Sequence, residues 1–173
     1  MSVHELGALH RRYVDLSQRF RAAWVFHQFL QSLAKLCGED GLPLSAPFQE
    51  LYGELKSCSQ ELNDTGGERL RTRLDAAGAR VTELTSTLRA EDSRWPPGEL
   101  RRFFRHYKNY DGKVLLQLVR FYLCAYGEDD SWTANARDKV DFLVTRLAAQ
   151  QQEGQGVAGQ HLHEVLVSLW QMA

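Results

Sequence analysis

The sequence contains no run in which β-branched residues alternate with polar ones, so no part of it reads as a strand. It also lacks an apolar run near the roughly 20 residues that a bilayer crossing needs. Its first residues carry His4, Glu5, His10, Arg11 and Arg12 among the apolar ones, which excludes the continuous core of a signal peptide. Cysteine is scarce and odd in number. Cys37, Cys58 and Cys124 are too widely spaced for a zinc motif and cannot all pair in disulfides. Each sits among apolar helical positions, where a free thiol packs as a small hydrophobe.

Catalytic signatures are missing as well. No serine stands in a Gly-x-Ser-x-Gly elbow. Gly66-Gly67 lacks the lysine and strand of a phosphate loop, and no Glu-x-x-His pair of a diiron bundle occurs. With 43% hydrophobic and 25% charged residues, the composition is that of a soluble globular chain, and the expectation is a cytoplasmic protein. The 173 residues suffice for one domain with a sizeable core.

What is present is helical periodicity. Steps of three and four from Leu6 give Leu9, Tyr13, Leu16, Phe20, Ala23, His27, Leu30, Ala34 and Cys37, with no Gly or Pro after Gly7. At 1.5 Å per residue this helix is about 50 Å long. Its first half has a narrow apolar stripe. From Trp24 onward Val25, Phe26, Phe29, Leu33 and Leu36 broaden the face, which predicts several neighbours and a core role for Trp24.

Gly38 ends this helix, and Ser45 and Pro47 open a second, about 47–63, with Phe48, Leu51, Leu55, Cys58 and Leu62 on one stripe. Residues 63–67 break the pattern, and Thr65 with Glu68 has capping-box spacing for a third helix, about 67–92. That helix shows a narrow seam of Leu70, Leu74, Ala77, Val81, Leu84 and Leu88, the mark of a coiled-coil edge in an antiparallel hairpin. Pro96-Pro97 then separates residues 1–92 from a more aromatic half, 97–152. This half reads as a short helix at 97–109, an apolar one from Asp111 to Tyr126, and one capped by Ser131 and running to about Gln152. A Gln/Gly-rich linker, 153–160, leads to an amphipathic segment, 161–173. The predicted architecture is all-α, with six to seven helices in a single domain, 1–173. A long N-terminal helix packs on an antiparallel helical hairpin and on a compact C-terminal half.

The net charge of -1 conceals blocks of +3 over 1–37, -5 over 38–92, +5 over 93–127 and -4 over 128–173. Such alternation suits segments that complement one another, or a molecule with one basic and one acidic face. The densest basic stretch is 101–110. On a helix Arg101, Arg105 and Lys108 form one stripe, beside Arg102, while Leu100, Phe103, Phe104 and Tyr107 lie opposite, followed by Tyr110. A basic face over an aromatic one suits anionic lipid, phosphate or an acidic partner; equally, it suits a core-facing aromatic row with a solvated cationic side. Nucleic acid is disfavoured by an isoelectric point near 6.6.

His27, on the long seam, reads as a hydrogen-bonded core histidine or, in a second reading, as a metal ligand or base. His161 and His163 would point about 200° apart on a helix and cannot chelate together. Leu162, Val165, Leu166, Leu169 and Trp170 follow i, i+3, i+4, i+7, i+8, the format of a helix that docks in a groove, in cis or in trans. The sequence therefore points to a non-catalytic protein–protein interaction module, an adaptor or regulatory subunit with a protein partner and possible self-association. No cofactor and no metal are expected. A helical ligand or metal binder, or enzyme, and a binder of anionic surfaces are the alternatives.

Overall fold

A computed structural model describes residues 2–64, 67–108 and 110–152. They form six helices and no strand among the described residues: α1 Val3–Leu36, α2 Ser45–Asp64, α3 Glu68–Asp92, α4 Pro97–His106, α5 Gly112–Tyr126 and α6 Ala134–Gln152. The Leu162–Trp170 stripe and the Thr65 cap lie outside the described residues. Among the described residues no helix is long and apolar enough to cross a membrane.

Local chemistry sets the helix ends. Ser2 Oγ accepts from Glu5 N at 3.1 Å and starts α1. Gly38, with φ 73°, lets Glu39 N return to Ala34 O at 2.8 Å and closes it. Asp111 caps α5 through Val114 N at 2.9 Å, as its position predicts. Two boundaries differ from the sequence reading. The α4 helix stops at His106, because Tyr107 is already extended (φ −109°, ψ 92°). The cap of α6 is Thr133, whose Oγ1 accepts from Ala136 N at 3.1 Å. Ser131 instead closes the preceding turn, its N–H bonded to Tyr126 O at 3.0 Å.

The long helix is the shared element: α2, α3, α4 and α5 all pack on it. The first half of α1 buries Leu9 and Leu16 but leaves Leu6 39% exposed, although Leu6 continues the seam. Beyond Phe20 the helix buries most of its circumference, including Phe26, Phe29, Leu30 and Leu33. Phe26 is fully buried and stacks on Phe121 at a 3.8 Å ring separation, with Tyr122 edge-on at 5.2 Å. Phe29 meets Phe103 and Phe104 at 5.0 and 5.9 Å. Trp24 is not core. It is only partly buried, because its side of α1 faces the α1–α2 seam instead of α5.

The α2–α3 hairpin runs as the narrow stripes predict, with Phe48, Leu51, Leu55 and Cys58 buried against Leu70, Leu74, Ala77 and Val81. Its exposed edges are tied by Arg73, whose Nε and Nη1 reach Glu54 and Glu61 at 2.8 Å each. Around these contacts the core is one cluster that extends from Leu9 to Leu147.

Candidate functional site

The sequence singles out residues 101–110, and the structure divides them. Phe103 and Phe104 are buried, locked between Phe29 and Phe142, so they present no ring to a ligand. Arg101 Nη2 pairs with Asp138 at 2.7 Å, and Arg102 Nη1 with Glu99 at 3.2 Å. Arg105 and Lys108 project into solvent with no carboxylate in ion-pair range among the described residues. The Lys108 carbonyl accepts from Arg146 at 3.5 Å. Tyr110 lies half-buried against Phe103 and Phe104, with Ser32 near its hydroxyl and its pKa pushed up chiefly by burial. Two of the four exposed cations of the predicted basic face thus stand without a carboxylate among the described residues.

His27 is 3% exposed, with its ring 5.2 Å from that of Phe48. Its Nε2 lies 3.2 Å from Leu42 O, which also accepts from Gln31 Nε2 at 2.8 Å. The imidazole therefore helps to pin the α1–α2 loop. A Cβ on Gly41 would overlap the Gln31 side-chain amide, so this loop lies close on α1 and a side chain there would require Gln31 to swing away from Leu42 O. Among the described residues no group of three or more His, Cys, Asp or Glu is placed to hold a metal. Cys37 donates to Glu99 Oε2 at 3.2 Å, and burial with this carboxylate raises its pKa, which lowers its nucleophilic fraction.

Two further features escape the sequence reading. The first is a closed polar knot where α3, α5 and α6 meet. Lys139 Nζ donates to both Asp92 O and Asp92 Oδ1 at 2.9 Å, and Tyr122 Oη donates to Oδ1 at 2.8 Å. Both charged side chains are almost wholly buried. Burial raises the Asp92 pKa and lowers that of Lys139, each partly opposed by the other's charge. Tyr122 is held well above its ordinary value by burial and by the same carboxylate, and burial pushes neighbouring Tyr126 up to about 12. The knot joins three helices and is enclosed by the core.

The second feature is a groove of about 680 Å³ lined solely by α1 and α2. Tyr13, Phe20 and Trp24 recur at helical spacing along α1, and Phe48, Tyr52 and Leu55 along α2. The rings form a continuous surface: Trp24 to Phe48 at 5.0 Å, Phe20 to Phe48 at 5.8 Å and Phe20 to Tyr52 at 6.4 Å. Tyr52 is 59% exposed, and exposed Leu6 extends the α1 line beyond Tyr13. Arg21 and Lys56 supply two cations, and the lining holds no carboxylate, histidine or cysteine. Such a surface offers burial to an apolar ligand. The signal was present, since both apolar stripes were legible. What periodicity does not encode is whether a third helix covers them. No protein-family model, no curated protein and no solved structure matches the chain.

Proposed function

We propose that this protein is a non-catalytic helical interaction module, an adaptor or regulatory subunit, that takes the apolar face of an amphipathic helix in the α1–α2 groove. The observation that carries this reading is the aromatic seam of the α1–α2 groove, where Tyr52 is 59% exposed and Tyr13 and Trp24 are partly exposed beside the buried ring of Phe20. Contiguous exposed apolar surface marks an interaction site, and large aromatic side chains dominate binding energies at such sites. A groove between two helices presents the shape that an i, i+3, i+4, i+7 ligand fills. The free cysteines suit a reducing, cytoplasmic setting.

The test is selection of a displayed library of amphipathic helical peptides on the folded chain, run beside Tyr52→Asp. Tyr52 is exposed enough that the substitution leaves the fold intact. The reading expects enrichment of apolar residues at helical spacing, with binding at least tenfold weaker on Tyr52→Asp. Absence of any helical consensus, or equal binding to both proteins, would remove it.

A further inference from the structure

We infer that the groove has a resident ligand within the same chain: the stripe Leu162, Val165, Leu166, Leu169 and Trp170 docks on it in cis and restrains access by partners. This inference rests on the groove being a helix-binding surface, and it adds which helix occupies it first. Reach and size argue for it.

The end of α6 is fixed beside α1. Gln150 Nε2 donates to Tyr110 O at 2.8 Å, and the Tyr110 hydroxyl meets Ser32. From the level of Ser32 back to Trp24, the near edge of the groove, is about 12 Å along α1, and passing around one helix adds about 10 Å. Residues 153–160 can extend to about 26 Å, so the stripe can begin at the groove without leaving its own molecule. At helical rise Leu162 to Trp170 covers about 12 Å, within the span of about 16 Å from Tyr13 to Trp24.

Composition agrees. Over 161–173 the one formally charged side chain is Glu164, and helical spacing puts it opposite the stripe. The docked face is therefore apolar throughout, like the rings it would cover. A tether of this length supplies an effective concentration of about 1 mM. A segment with an intrinsic Kd of about 100 μM would then be about nine-tenths docked, and a competing helix would see its affinity fall about tenfold.

The test uses the full chain and a fluorescein-labelled synthetic peptide of residues 159–173, read by anisotropy, with solution mass measured in parallel. Leu166→Asp/Trp170→Asp should empty the groove without touching the described core. That variant should bind the peptide at least tenfold more tightly than the wild-type chain, and adding Tyr52→Asp should abolish the gain. Wild-type chain should be a monomer at the concentrations used. Equal binding by wild-type chain and double variant would overturn cis docking while leaving the groove a helix-binding site. A wild-type dimer that the double variant loses would overturn it in favour of exchange between copies. Failure of the peptide on the double variant would also overturn it. If that variant then selects no helix from the library either, the proposed function falls with it.

Discussion

Along its length α1 meets two kinds of neighbour. Toward its start it contacts a hairpin of narrow leucine stripes, stapled at the surface by Arg73 with Glu54 and Glu61. Toward its end it is enclosed by α4 and α5, where Phe26, Phe29, Phe103, Phe104 and Phe121 interlock. Just beyond α5 lies the sealed Asp92–Lys139 joint. The difference follows from stripe width. Helices with one narrow stripe satisfy it pairwise and leave the flank of the seam open, whereas a helix apolar around most of its girth is stable only when surrounded. One region therefore supplies surface and the other supplies rigidity.

Substitutions test that division, and the largest effects belong at the enclosed end. Phe26→Ala empties a fully buried site and should destabilise the chain by about 3–5 kcal/mol. Trp24→Ala, three residues short of His27 on the groove side, should cost less, about 1–2 kcal/mol, since Trp24 is only partly buried. Urea titration of both variants checks the contrast; equal losses would erase the distinction between enclosed and open faces.

Lys139→Met leaves the Asp92 carboxylate buried without its cation and should cost about 3–5 kcal/mol. Adding Asp92→Leu should restore much of that loss, because the raised Asp92 and lowered Lys139 pKa values mean that the fold disfavours both charges. A double variant no more stable than the single one would show that the pair contributes net stability.

At the hairpin the effects are small and depend on pH. Arg73 holds the Glu54 pKa below its ordinary value through a direct hydrogen bond, so the folded state favours the carboxylate. This stabilisation is present above the unfolded pKa of about 4.3 and is lost as pH falls through the lower folded value. Being partly solvent-exposed at the edge of the hairpin, the pair contributes about 1 kcal/mol. Melting temperatures at pH 6 and pH 3 should thus converge for wild type and Glu54→Gln at the acid end and separate, with wild type higher, at pH 6.

Much of the fold was legible because α-helical periodicity is a local property. The seams of α1, α2 and α3, the Asp111 cap and the Gly38 stop all follow from spacing and side-chain chemistry. What spacing does not carry is the partner of each face. Trp24 reads as core because it joins an apolar face, yet it is only partly covered among the described helices, whereas Phe20 on the same side is buried. Arg101 read as a ligand for anions, and its anion turned out to be Asp138, 37 residues away. Asp92 and Lys139 passed unremarked, although each extends an apolar seam, Leu88 to Asp92 and Ala136 to Lys139. A lone charge of opposite sign on each of two buried stripes is a signal that a pairing rule can use.

The Asp92–Lys139 joint also orders events in time. The two residues stand 47 apart in the chain. At a synthesis rate of about 5–20 residues per second, the carboxylate waits about 2–10 s for its ammonium. At the start of that interval α1, α2 and α3 have already been made, and the wide face of α1 around Phe26 and Phe29 has no α5 to cover it until Tyr126 is reached. The nascent chain thus carries a hairpin that can close early, a platform that stays open until α5 arrives, and a buried carboxylate that waits for α6. That window is when the growing polypeptide most needs a holdase.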